Sequence, residues 1–533
     1  MRYRSSIVLI WGIILFVISN LVCGAAFGTE HCSEPVGTLV SIEGSGELQP
    51  QGKQGWQPVQ LNDKFCAGDV LRVGPGGRAA VTLTNETILR INQNSILTFS
   101  VPEERISMLK LLKGMLHIFS HRPRALKVST PYVNGTVEGT EFLVAVNDQQ
   151  AAITVFEGMV RAANARGSLD IDSGESVTAA QGAAPQYSVV INPRDAVQWT
   201  LYYPTILASA AGTTATEADR LVSQASAALQ TGQVDAAQSL LDKALQAEAQ
   251  NSYALALLAI IEVVQNRQES AFALAQKAVE LDPDSAAAGL ALSYAQQAMF
   301  DVDGALNTLL NTAEANPDNV EVLARLAELQ LAVGRFDQAL ATIDRAVALK
   351  PDNARIQAVQ GFVHLTRVEI DEAQASFNRA IELDQAMPLA RLGLGLSLIR
   401  QGHVAPGRAE IEIGAALDTS NAMIRSYLGK AFFEERRDTL AGRQYQIAKE
   451  LDPADPTPWF YDAIRKQTAN RPVEALDDIR RSVVLNDNRA VFRSSLALDS
   501  DLAARSASQA RIYADLGFEG PALVKGWSSV NTQ

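Results

Sequence analysis

The stretch 422-AMIRSYLGKAFFEERRDTLAGRQYQIAKELDPAD-455 carries two apolar stripes and then a proline. Leu428, Gly429 and Phe432 fall on one helical face, and Ala441, Tyr445 and Ala448 on another, at the three- and four-residue spacings of amphipathic helices. Small residues stand where two helices must approach closely, with larger apolar residues beside them. Pro453 ends the second helix by removing an N–H donor. The stretch therefore reads as one helical hairpin.

Its ending returns along the chain. KAVELDPDS, AEANPDN and RAVALKPDN place Pro283, Pro317 and Pro351 as IAKELDPAD places Pro453, and Ala249, Gln385, Thr419 and Asp487 hold the same place without proline. The eight positions 249, 283, 317, 351, 385, 419, 453 and 487 are 34 residues apart at every step. Asp284-Ser285, Asp318-Asn319 and Asp352-Asn353 follow the prolines as candidate caps of the next helix. Neighbouring copies keep Leu326, Ala327, Gly334, Ala339, Ile343, Ala346 and Pro351, or Gly361, Ala373, Phe377 and Ala380. This pattern resembles the tetratricopeptide repeat. Because a single hairpin cannot bury its apolar face, the copies are expected to stack into a superhelical α-solenoid.

In that family the inner wall is lined mainly by the first helix of each hairpin. Its ninth position holds Ser226, Ile260, Tyr294, Glu328, Phe362, Leu396, Lys430 and Ile464. The resemblance makes Ile260, Tyr294, Phe362, Leu396 and Ile464 candidate groove residues for a protein partner, against the alternative that they pack between repeats. The copy Pro388–Asn421 contains Gly393, Gly395, Gly402, Gly407 and Gly414, and since helix-interior glycine costs about 1 kcal/mol relative to alanine, early local opening is expected there.

Ahead of the repeats the texture changes. From Val36 to about Val190, runs such as GTLVSIEG, RAAVTLTN, ETILRINQ, SILTFSV and AAITVFEGMVRA alternate apolar and polar residues between glycine-bearing turns. That is the signature of half-buried antiparallel strands, hence an all-β sandwich, barrel or short solenoid. The blocks GDVLRVGPGGRAAVTLTNETILRINQNSILTF, LLKGMLHIF, VSTPYVNGTVEGTEFLVAV, ITVFEGMVRA and SGESV resemble the FecR domain of exported bacterial proteins. The most specific part is Thr130-Pro131, then Gly139-Thr140-Glu141-Phe142, then Glu157-Gly158. The resemblance implies an exported β module that binds a partner, a wall component or another domain of its own assembly. Asn85-Glu86-Thr87 departs from the family's usual Asp-Gly-Ser-like turn, so a different hairpin geometry is expected there.

The N-terminus reads MRYR, then the apolar run Ile7–Val22, then small residues at Gly24, Ala25, Ala26 and Gly28. This is the order of a secretory signal peptide, cut after Gly28 or around Ala25 and Ala26, with an uncleaved membrane anchor as the alternative. Only Met1–Ser6 precede the run, which leaves no room for the cytoplasmic anti-sigma region of the family's signalling members. Removal of the leader would leave Cys32 and Cys66, an even pair in an oxidising compartment, and a disulfide between them is expected, with two buried thiols as the alternative.

The expected organisation is a multidomain α and β chain: leader 1–28, β domain 29–200, linker 201–217, eight repeats 218–489 and a helical extension 490–533. Net charge is −13, made of +2 before residue 29, −3 over 29–215 and −12 beyond. The acid lies on the repeats, which argues against nucleic acid as partner, since phosphate binding needs a basic face.

No catalytic, cofactor-binding or metal constellation is visible. His117 and His121 read as surface or strand-edge histidines, most of the repeat carboxylates as solvated faces, and GPGG at Gly74–Gly77 as a hairpin turn. The resulting expectation is a non-enzymatic scaffold in the periplasm or cell envelope of a bacterium, holding protein partners of the envelope. Alternatives are an envelope sensor or signalling component, or a carbohydrate- or peptidoglycan-binding protein.

Overall fold

The computed structural model describes residue 32 and residues 34–103, 106–121, 123–138, 141–189, 193–206, 216–485 and 501–531. The leader 1–28, Gly139, Thr140, Asp487 and residues 207–215 of the expected linker lie outside the described residues. No described helix is long and apolar enough to cross a membrane.

Among the described residues seventeen strands form the β domain: β1 (Gly37–Glu43), β2 (Gly46–Gln49), β3 (Gln57–Pro58), β4 (Lys64–Phe65), β5 (Val70–Val73), β6 (Arg78–Leu83), β7 (Ile88–Ile91), β8 (Ser95–Glu103), β9 (Ile106–Phe119), β10 (Pro123–Ser129), β11 (Asn134–Glu138), β12 (Glu141–Val146), β13 (Gln150–Glu157), β14 (Met159–Asn164), β15 (Gly167–Asp172), β16 (Ser176–Ala180) and β17 (Gln186–Ser188). One sheet runs β4-β1-β6-β7-β9-β12-β13-β16-β17 and the other β3-β2-β5-β8-β9-β10-β11-β14-β15. They are called here the inner and the outer sheet. Strand β9 (Ile106–Phe119) belongs to both, pairing with β8 (Ser95–Glu103) up to Lys113, and from Gly114 onward with β12 (Glu141–Val146). Gly114 makes the change possible. Its φ is +102° and a Cβ there would stand 2.5 Å from the Ser95 Cα. Leu39, Phe65, Leu71, Val81, Leu116, Ile118, Phe142 and Val144 are among the residues that fill the space between the sheets.

Among the described residues sixteen helices follow as eight hairpins. They are α1/α2 (Glu217–Gln230, Val234–Ala247), α3/α4 (Ser252–Val264, Gln268–Leu281), α5/α6 (Ala286–Ala298, Val302–Ala315) and α7/α8 (Val320–Ala332, Phe336–Leu349). Then come α9/α10 (Ala354–Thr366, Ile370–Leu383), α11/α12 (Pro388–Arg400, Val404–Leu417), α13/α14 (Ala422–Glu434, Asp438–Leu451) and α15/α16 (Pro456–Thr468, Pro472–Val484). Asn251, Ser285, Asn319, Asn353, Asn421 and Asp455 cap the first helices of their hairpins through their side chains, whereas α11 starts on Pro388 instead.

The period also shows in the backbone. Gly232, Asn266, Phe300, Gly334, Val368, Gly402, Arg436 and Asn470, each 34 residues from the next, all take positive φ just past the first helix of their hairpin. Only three of the eight are glycine, so the turn geometry is imposed by the packed hairpin and not by the residue. A further hairpin, α17/α18 (Asp501–Asp515, Glu519–Asn531), lies within the expected extension.

The glycines of the sixth hairpin have a packing role. A Cβ on Gly395 would lie 2.5 Å from the Gly407 carbonyl oxygen, and one on Gly407 would lie 2.5 Å from that of Gly395. Helices α11 and α12 therefore touch backbone to backbone, and Gly393 takes the Phe377 ring of the preceding hairpin against its Cα. The expectation of early opening counted the helix-propensity cost without this close approach, which argues the other way.

Candidate functional site: the inner face of the repeats

First helices are buried on nearly all sides, as in α7, where Val322 to Ala332 are buried without interruption, while second helices such as α8 bury one stripe, Ala339, Ile343 and Ala346. First helices thus form the inside of the superhelix. What covers them is the rest of this same chain.

Between the β domain and α1, residues 193–206 form a strap. Its 3-10 segment Pro193–Thr200 is followed by Leu201–Ile206, and Val197, Trp199, Leu201, Tyr203 and Ile206 are buried. The first six residues of the expected linker are therefore packed structure. Gln198 accepts from Gln265 at the end of α3 (3.1 Å), the Thr200 hydroxyl meets that of Thr419 (3.0 Å), and Tyr202 donates to Asp384 (3.0 Å). Ser420, between α12 and α13, reaches back to the Val264 carbonyl (3.4 Å), so the second hairpin meets the connection between the sixth and the seventh.

The inner sheet docks beside the strap. Val40, Ala80, Ile88 and Phe119 point outward from β1, β6 (Arg78–Leu83), β7 (Ile88–Ile91) and β9 into the same apolar cluster as the helices. Val40 stands where the β1–β6 register slips, and that irregularity frees its carbonyl to accept from Arg391 of α11 (2.6 Å). Gln385 accepts from the Ile42 amide (2.9 Å). Arg78 donates to the carbonyls of Trp199 (2.7 Å) and Gln230 (3.0 Å) and pairs with Glu43, thereby joining sheet, strap and first hairpin.

Glu86 explains the departure from the family's turn. Its φ is +68°, as a glycine's would be, and its carboxylate reaches Arg408 of α12 (3.2 Å). A residue of higher backbone cost stands there because it contacts the repeats.

The β-domain motif residues divide between turn chemistry and contact. Thr130 Oγ1 donates to the Val133 carbonyl (2.6 Å) and accepts from the Val133 amide (3.0 Å), which fixes a turn at whose surface Pro131 is exposed. Phe142 lies in the core between the sheets, and Gly158 has φ +78° between β13 (Gln150–Glu157) and β14 (Met159–Asn164). Glu141 and Glu157 instead face the helices. Glu141 accepts from Arg425 of α13 at 2.8 and 3.0 Å and stands 3.2 Å from His117, while Glu157 stands 3.0 Å from Arg443 of α14.

His117 and His121 are not surface residues. Their side chains are 1% and 7% exposed, against Glu141 and Glu412 respectively. Nor are all repeat carboxylates solvated, because Glu412, Asp418, Asp455, Asp462 and Asp478 are buried. The signal for this was weak, since burial of these groups depends on the β domain, the strap or an adjacent repeat.

A cavity of about 950 Å³ remains at the axis. Tyr294 and Phe362 line it with Tyr202, Arg355, Asp384 and Asp418, whereas Ile260, Leu396 and Ile464 do not. Ile260 and Leu396 are packed among helices, Phe362 also stacks edge-on with Phe377, and Tyr294 lies under Arg325 (4.0 Å). Burial raises the Asp418 carboxyl to about 6 and also raises that of Asp384. Cys32 and Cys66 are joined as expected, with Cα atoms 6.0 Å apart. Among the described residues no group of His, Cys, Asp and Glu is arranged to hold a metal ion.

Comparison with known families agrees with this division. The model described as FecR protein matches residues 69–161, and two models described as tetratricopeptide repeat match residues 297–361 and residues 222–286 and 392–456. Among solved structures, the APC/C hetero-tetramer Cut9-Hcn1 is similar at 14% identity and TM-score 0.43, over 59% of this chain and 66% of that one. Human IFIT1 bound to PPP-AAAA gives 14% and 0.41, over 59% and 84%. A putative anti-sigma factor from Parabacteroides distasonis gives 17% and 0.23, over 25% and 67%. No curated protein matches the chain. The chain thus carries a FecR domain and an array of tetratricopeptide repeats, with the β module packed against the array.

Proposed function

We propose that this chain is an exported, non-enzymatic scaffold of the bacterial cell envelope, which holds a protein partner on its repeats with the FecR domain built in as a fixed part. The observation that carries the reading is the seating of the inner sheet and strap against the array, through Arg391 and Arg425 on first helices and through Asp384 and Thr419 between helices, which meet Tyr202 and Thr200. A β module held this way braces the superhelix, and the axial cavity with Tyr294 and Arg355 remains as a concave surface for a partner segment. The repeats are of a kind that serves protein–protein interaction, and the acidic balance disfavours nucleic acid.

Photocrosslinking in cells tests this. A photoreactive residue at Tyr294 is expected to trap a discrete envelope protein, and one at exposed Tyr253 is not. Crosslinks from neither position, or recovery of the chain only from the cytoplasm with its leader intact, would overturn the proposal. A signalling role is the second reading, favoured by the FecR domain itself. It predicts that an envelope ligand raises the domain's thermal stability.

A further inference from the structure

The contact between the inner sheet and hairpins six and seven is built of ionisable side chains. His117 on β9, His121 just past it, Glu141 on β12 and Glu157 ending β13 face Arg408 and Glu412 of α12 and Arg425 of α13, and none of these seven side chains is more than 7% exposed. The three carboxylates are unequally served. Glu141 takes Arg425 on both oxygens, whereas the Arg443 side chain approaches Glu157 without forming an aligned hydrogen bond to either oxygen. Glu412 shares Arg408 with Glu86 and Glu435, and its other neighbour, His121, stands 3.5 Å away with no hydrogen bond from that ring nitrogen.

We propose that this contact is a proton-operated latch between the FecR domain and the repeats, closing harder under mild acid and slackening under alkali. Closing strips water from Glu157 and Glu412 while giving Glu157 only the half-exposed Arg443 and Glu412 only a share in Arg408. The groups facing Glu157 are Glu141 from β12, Arg425 from α13 and Arg443 from α14, and those facing Glu412 are Arg408 on its own helix, Arg437 and Glu435 beyond α13, and Glu86 from the β6–β7 turn. His121 lies close to both sets, facing Arg425, Glu141, Arg437 and Arg408.

Burial first, and then Glu141, pushes Glu157 up to about 7, and burial outweighs Arg408 to bring Glu412 to about 7 as well. A carboxyl that binds its proton more tightly in the closed form takes one up on closing, so each favours closure as pH falls from about 8 toward 5. His121 acts in the opposite sense. Burial and then Arg425 hold it down to about 3, so it closes as the neutral ring and costs closure below its ordinary value of 6.5. Burial alone would raise Glu141, but Arg425 and His117 outweigh it and hold the group at about 2, so its pair survives until pH falls below the ordinary carboxylate range. Two carboxyls against one imidazole leave a net gain of about a hundredfold in closed over open between pH 8 and 5.

Hydrogen exchange followed by mass spectrometry on the full chain, at pH 5.5 and 8.0 and corrected for intrinsic rates, reads the latch. Protection of segments 141–146 and 422–434 is expected to be at least about tenfold higher at pH 5.5, with segment 159–172 of the outer sheet unchanged. Glu157→Gln and Glu412→Gln, which keep shape and remove charge, should each shrink the difference, and together should leave only the opposing response of His121, so that protection becomes lower at pH 5.5 than at 8.0. Glu141→Gln should loosen it at both values. Equal or lower protection at pH 5.5, an equal change in segment 159–172, or an undiminished response in the Glu157→Gln, Glu412→Gln double variant would each overturn the proposal.

Discussion

The two sheets of the β domain share one core and one alternating pattern, yet they treat charge oppositely. On the outer sheet, Arg72 pairs with Glu47 and Arg161 with Asp170 in solvent, each across neighbouring strands. On the inner sheet, Glu43, Arg78, Arg90, His117 and Glu141 are wholly or largely buried, and several of their partners lie on helices or on the strap. A surface pair gains little over hydration, while a buried one is costly to break because the survivor cannot be resolvated. The inner charges therefore act as an address: a helix array that did not supply Arg425 opposite Glu141 would leave a bare charge in an apolar cluster.

The comparison breaks most visibly at Arg425. Arg425→Ala strands Glu141 and removes the cation stacked 4.5 Å over Phe119, so a loss of about 3–5 kcal/mol is expected in urea unfolding. The loss should shrink in Arg425→Ala, Glu141→Gln, because the stranded charge has gone. If Arg425→Ala were no more harmful than a substitution on the outer sheet, the two faces would not differ as described. Next in size is Cys66→Ser. The bridge closes a separation of 34 residues at the edge of the inner sheet, and its loss should cost about 3 kcal/mol in the same assay, with the transition of the repeats less affected than that of the β domain.

The fold was legible where physics is local. The 34-residue register, the helix caps at Ser285, Asn319 and Asn353 and the alternating strands all follow from contacts a few residues or one hairpin away. The seating of one half in the other was not. Arg391 meets Val40 across 351 residues, and nothing in the spacing of either residue declares the other. His117 is hidden for the same reason, because a polar residue at an outward strand position reads as exposed until a second domain covers it. Two traces of the contact were nevertheless present: a glutamate at Glu86 where the turn calls for glycine, and the motif acids Glu141 and Glu157, which turn chemistry alone did not require.

Smaller effects separate packing from propensity. Gly395→Ala should stabilise by about 1 kcal/mol if propensity governs, but its new Cβ would meet the Gly407 carbonyl, so a loss of about 1–3 kcal/mol is expected. The sign of the change decides between the two accounts of the sixth hairpin, and slow hydrogen exchange there would agree with the packing account. Glu47→Gln marks the lower bound. Its partner Arg72 is 41% exposed and also stacks over Trp56 at 4.2 Å, so the guanidinium keeps both water and a ring when the carboxylate charge is removed. A change below about 0.5 kcal/mol is expected, falling further with added salt. A loss comparable to that of Arg425→Ala would mean that the outer sheet is also covered in the folded chain, and the contrast between the two faces would then rest on which partner was missing rather than on solvent.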